Sequence, residues 1–189
     1  SQDGYEFAYP FGWQEVTLVL IRLKKERKRE KATPSIHHLI PPSLSLLSLL
    51  PSFPLPLFSV DGQDVVYKDI IEPLESVSVS ITSTDKATVD DFGPPEEVAA
   101  TLATKVLTPA SQQVKVLSVS RRVVDGRPYV DFEFAAKAPT YIRHALASVS
   151  VANGKFYTLT TGANDLRRWA KVKGTLESVV ASFKVVDRY

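Results

Sequence analysis

Apolar and polar residues alternate with period two along most of this chain, and the runs are separated by turn residues. Tyr5–Tyr9 sets aromatic positions against Glu6 and Ala8, and Phe11-Gly12-Trp13 turns the chain into a second short strand. Val65–Tyr67 is a third strand, and Ser76–Thr82 alternates strictly, with Val77, Val79 and Ile81 on one face. Val114–Val124 and Pro128–Ala136 are joined by Asp125-Gly126, and Tyr141–Val151 and Lys155–Thr161 by Asn153-Gly154. Asp-Gly and Asn-Gly between alternating runs predict tight hairpins, because the type I′ turn needs positive φ at both central residues.

Two segments have helical spacing instead. Gly93-Pro94-Pro95 stops the preceding run, and Glu96-Glu97 put acids where a helix N-terminus favours them. Val98, Leu102 and Val106 then recur at four-residue spacing through Leu107, until Thr108-Pro109 ends the helix. Asp165–Phe183 carries a stripe of Trp169, Val172, Leu176, Val179 and Val180. The prediction is an α+β domain, an antiparallel sheet of five to seven strands with helices over its faces.

One stretch obeys neither period. Every residue from Pro41 to Ser59 is Leu, Pro, Ser or Phe, and a charge block, Arg22–Lys31, precedes it. Five prolines between Leu39 and Val60 argue against a membrane helix, since each removes a backbone donor and costs about 3 kcal/mol inside a helix. A displaced signal peptide is a weaker reading, because the stretch is internal and lacks a small-x-small cleavage site. Leu, Pro, Ser and Phe are the residues whose codons can be written wholly in pyrimidines, as in the tracts before splice acceptors. Residues 17–59 are therefore expected to be a retained intron in the gene model or, if translated, a disordered insertion within a single domain formed by 1–16 and 60–189.

Setting that stretch aside changes the charge. The whole chain has net charge +2, but residues 17–59 alone carry +5 and leave the remainder at −3. A mildly acidic domain lacks the footprint of a nucleic-acid binder. There is no cysteine, hence no disulfide, thiolate metal site or cysteine nucleophile. There is no methionine either, even at position 1, which predicts a start after a removed segment.

Candidate chemistry is sparse. His37 and His38 fall in the aberrant stretch, leaving His144 alone on a strand with no His or Cys near it in sequence. Asp61 and Asp64 around Gly62 read as turn chemistry, with a cation contact as the alternative. Asp90-Asp91 mark the approach to the first helix. Arg167-Arg168 beside Trp169 read as one exposed and one ion-paired arginine, or else as an anion or protein contact. No nucleophile, metalloprotease, P-loop or dinucleotide motif occurs, so no catalytic residue is assigned and binding is favoured over catalysis.

The wording of the flanks adds to this. Y-x-F-x-Y-P-F-G-W-Q-E-V at Tyr5–Val16, D-G-Q-D-V-V-Y-K-D-I-I-E-P-L-E-S-V-S-V at Asp61–Val79 and F-G-P-P-E-E-V-A at Phe92–Ala99 resemble the PsbP family. So do R-H-A-L at Arg143–Leu146, N-G-K-F-Y-T-L-T-T-G-A-N at Asn153–Asn164 and R-R-W at Arg167–Trp169. The likeness covers 1–16 and 60–189 and skips 17–59. It implies an α/β/α sandwich, a transit peptide removed in the chloroplast thylakoid lumen, and a non-enzymatic monomer peripheral to the membrane. Its partners would be photosystem II subunits or assembly intermediates, in repair, assembly or oxygen-evolving complex function. The family histidine implicated in metal binding falls at His144, with Asp165 as its acidic partner and Mn, Zn or Ca as candidate ions. That leaves a lumenal metal-binding or delivery protein as the alternative function.

Overall fold

The computed structural model describes residues 4–16, 63–72 and 74–186. The 17–59 stretch, Asp61, His37 and His38 lie outside the described residues, as does Gly62.

Nine strands and two α-helices occur among the described residues. In chain order they are β1 (Tyr5–Glu6), β2 (Gln14–Glu15), β3 (Gln63–Lys68), β4 (Ser76–Ser83), α1 (Pro95–Lys105), β5 (Gln113–Val124), β6 (Arg127–Lys137), β7 (Ile142–Ala152), β8 (Lys155–Asn164), α2 (Ala170–Ser182) and β9 (Lys184–Val185). A 3₁₀ turn at Val89–Phe92 precedes α1, and a π turn at Asp165–Trp169 leads into α2. Seven strands form one antiparallel sheet in the order β2-β3-β4-β8-β7-β6-β5, while β1 and β9 pair separately.

Both hairpin turns form as predicted: Asp125 and Gly126 have φ of 51° and 77°, Asn153 and Gly154 of 51° and 67°. Because helices cover both faces of the sheet, both side-chain sets of its central strands are buried. Tyr129, Leu146, Tyr157 and Leu159 pack under α2 through Leu176 and Val179. Val130, Phe132, Phe134 and Val149 pack under α1 through Val98 and Ala99. Each such Val, Leu or Phe side chain stabilises the fold by about 1.5–3 kcal/mol relative to exposure. This is the α/β/α sandwich predicted.

Three expectations are corrected. The first strand stops at Glu6 instead of Tyr9. The chain then crosses the sheet as an aromatic strap: Phe7 and Tyr9 lie 6.0 and 4.1 Å from the Tyr67 ring, and the Ala8 N–H donates to Ser182 Oγ at 2.9 Å. Side-chain packing and a helix hydroxyl have replaced a ladder partner.

Val106 is not on the buried stripe of α1, because the helix ends at Lys105 and Val106 faces solvent. Ala99 and Ala103 are fully buried instead, so the closest approach to the sheet is made by small residues. Leu107 turns back to the core as its N–H donates to Leu102 O at 2.8 Å. The last predicted helix does not begin as an α-helix; its first five residues form the π turn.

Candidate functional site

β7 places His144 on the α2 side of the sheet, opposite Ala135 of β6 and Ala163 of β8. The π turn brings Trp169 flat onto the imidazole, with ring centroids 4.0 Å apart and planes 4° from parallel. π turns inside helices are frequent at functional sites. The histidine side chain is 13% exposed, and a carboxylate meets each ring nitrogen. Nδ1 lies 2.9 Å from Asp165 Oδ1 in a hydrogen bond. Nε2 lies 2.6 Å from Glu133 Oε1, at ion-pair distance but out of line for a directed hydrogen bond. Lys173 closes the cluster, its Nζ 3.3 Å from both Glu133 oxygens and 5.6 Å from the Trp169 ring centroid.

The structure thus brings together His144 and Asp165, the predicted pair, and adds Glu133 and Lys173. Glu133 carried a readable signal. In β6 the apolar set Val130, Phe132, Phe134 and Ala136 occupies one face, which leaves Asp131 and Glu133 on the other, and both faces are buried in a sandwich. Lys173 has no comparable signal, since its role depends on the angle at which the π turn launches α2.

The other candidates resolve simply. Arg168 forks onto the buried Glu75, while Arg167 is exposed, so the bland reading of that pair is the observed one. Asp64 accepts the Tyr5 hydroxyl at 2.6 Å. Asp91 takes the Ala87 and Thr88 N–H groups, and Asp90 pairs with Arg121 at 2.6 Å, which holds its carboxyl below the usual range. Next to His144, Arg143 is buried and donates to Ser76 Oγ at 3.1 Å; burial lowers its guanidinium to about 10, against the opposing influence of Tyr141. Burial, and then the like charge of Arg143, lowers the Lys68 ammonium.

As chemistry, the cluster is a braced imidazole. Its two carboxylates sit on different edges of the ring. Among the described residues no three His, Cys, Asp or Glu side chains converge on one point. His144 Nδ1 and Asp165 supply two donors, so an ion there would draw its remaining ligands from water and bind weakly.

A seven-stranded antiparallel sheet covered by a helix on each face, with a braced histidine where α2 begins, defines the class of fold. The PsbP family profile matches residues 52–185, and the chain belongs to that family. It is 43% identical over 185 residues to PsbP-like protein 1, chloroplastic, of Arabidopsis thaliana, spanning 98% of this chain and 62% of that one. It is 35% identical over 130 residues to the Photosynthetic NDH subunit of lumenal location 1, chloroplastic, of the same plant, covering 69% of this chain and 54% of that protein. The chain therefore spans less than two thirds of either relative. The solution structure of CyanoP from Synechocystis superimposes with a TM-score of 0.64 at 26% identity, over 98% of this chain and 88% of that one. The protein belongs to the chloroplast thylakoid lumen, as the sequence predicts. Among the described residues no helix is long and apolar enough to cross a membrane.

Proposed function

We propose that this protein is a non-enzymatic accessory factor of photosystem II that docks on repair or assembly intermediates by protein–protein contact. The observation carrying this reading is the likeness to PsbP-like protein 1 over 98% of the chain. The braced state of the His144 cluster adds to it, because its polar groups are spent on one another. Binding energy would then come from a few exposed apolar and charged side chains. The test is co-sedimentation of the protein with photosystem II membranes before and after photodamage. Preferential binding to damaged or partly assembled complexes is expected. Equal binding to both, or to neither, overturns the repair reading, and retention on the photosynthetic NDH complex instead would reassign the partner.

A second reading, metal carriage, is favoured by one observation, the 2.9 Å approach of His144 Nδ1 to Asp165. Calorimetric titration with MnCl₂ and ZnCl₂ tests it. A weak site that disappears in His144→Ala supports it, and unchanged binding in that variant ends it.

A further inference from the structure

Phe11 is fully exposed, Ile70 is 66% exposed and Ile71 is 86% exposed. Single exposed apolar residues are ordinary, but adjoining ones mark contact surfaces. Register places these three at one end of the sheet. Gln14 of β2 pairs with Lys68 of β3, so the turn before Gln14 and the loop after Lys68 leave the sheet at the same end.

Both loops are braced. Asp69 Oδ1 accepts the N–H groups of Ile71 at 2.7 Å and Glu72 at 2.9 Å. The Asp69 N–H donates to Glu75 O at 3.0 Å, and the Glu75 N–H donates to Glu72 O at 2.7 Å. Arg168 clamps the Glu75 carboxylate from the far side. In the other loop the Trp13 N–H donates to Pro10 O at 3.3 Å while the Trp13 ring is buried. Phe11, Ile70 and Ile71 therefore sit beside hydrogen-bonded backbone, which lowers the ordering cost of meeting a partner.

The rim supplies the sign. Asp69 and Glu72 flank the isoleucines; the nearby Arg168 bridges Glu75 and feels Glu72 and Asp69 only as longer-range charges, so the rim keeps an acidic excess. An acidic rim is repelled by an anionic lipid surface and complements a basic protein surface. We propose that Phe11, Ile70 and Ile71 form a docking tip for a protein partner that offers an apolar cleft bordered by Lys or Arg. The proposal rests on the photosystem reading only for where that partner is sought.

The test places a photo-crosslinker in the full chain, as Ile71→p-benzoylphenylalanine, with Val123→p-benzoylphenylalanine as control. Val123 is 56% exposed on β5, the opposite edge strand of the sheet. Each protein is irradiated with thylakoid membranes opened to expose their lumenal face, and adducts are mapped by mass spectrometry. The expected result is an adduct from position 71, absent from 123, mapping to an apolar cleft with Lys or Arg at its border. Adding Phe11→Ser and Ile70→Ser should lower its yield about tenfold, equivalent to about 1.4 kcal/mol of binding, with an unchanged thermal midpoint. Lipid adducts alone, equal yields at 71 and 123, no adduct, or no effect of the serines would each overturn the tip. A matching cleft on a protein outside photosystem II would keep the tip and overturn the photosystem reading.

Discussion

Arg122 is the residue whose removal most directly tests how the two halves of the sandwich are joined. From β5 its Nε reaches Asp131 Oδ2 at 2.6 Å, and its Nη2 donates to Ser148 Oγ and to the Val180 and Phe183 carbonyls at 3.0–3.2 Å. The guanidinium carbon also sits 4.4 Å from the Tyr129 ring centroid. One side chain thus neutralises a largely buried carboxylate and caps the end of α2. Arg122→Met keeps most of the volume, strands the Asp131 charge and leaves two helix carbonyls short of a donor. Breaking a buried pair in this way costs about 3–5 kcal/mol.

The loss should depend on pH in a set direction. Burial raises the Asp131 carboxyl above its usual range, against the Ser148 hydrogen bond and the attraction of Arg122. A raised folded value means that this group favours the fold most below its unfolded value of about 3.9, and that the contribution is lost as pH climbs through the folded value. Without Arg122 the folded value moves further up and the window widens. The deficit of Arg122→Met should therefore be smallest near pH 4 and grow toward neutrality. Urea unfolding by tryptophan fluorescence at several pH values measures it. Arg122→Met/Asp131→Leu should recover more than half of the loss. A deficit independent of pH, or a double variant no more stable than the single, would refute the reasoning.

Two further expectations follow from packing. A Cβ on Gly162 would lie 2.5 Å from the His144 carbonyl oxygen and 3.0 Å from Ala145 Cβ; Gly162→Ala should cost about 1–3 kcal/mol, read as a lowered urea midpoint, and an unchanged midpoint would show that the strands part freely. The Val16 N–H donates to Val66 O at 2.8 Å, so β2 and β3 already meet where 17–59 departs; we propose that deleting 17–59 leaves a short hairpin loop and an intact domain, and a loss of cooperative unfolding would count against it.

The hairpins were legible because their signal is local: Asp-Gly and Asn-Gly satisfy a steric demand that no distant residue changes. Sheet strands were legible from alternation, since one slip in register would exchange their faces. The helix ends were not. Val106 fits the spacing of its helix, yet the chain leaves the helix one residue earlier, drawn by Leu107 returning to the core. At the site, His144 and Asp165 came from the family resemblance. Glu133 was recoverable from the phase of β6 once both faces were taken as buried. Lys173 and the reach of Arg122 to α2 were not, because Glu133 lies 40 residues from Lys173 and the Val180 carbonyl 58 from Arg122 in the sequence.

A run of contacts leads from the cluster to the loop of Ile70 and Ile71, and this changes what a histidine substitution would mean. Trp169 stacks on His144 and fixes the π turn; Arg168, one residue earlier, grips Glu75; and the Glu75 backbone closes the loop that carries Ile70 and Ile71. Loss of the imidazole would loosen that chain of contacts from its buried end. His144→Ala should then weaken docking on lumenal membranes without any metal taking part, while the distant hairpin at Asn153-Gly154 stays ordered. The decisive measurement is membrane binding of the wild type and His144→Ala, each with and without a strong chelator. An equal deficit in both conditions assigns the histidine a positioning role through the π turn. If instead chelator brings the wild type down to the variant's level, the histidine acts through a bound ion and the mechanical account is wrong.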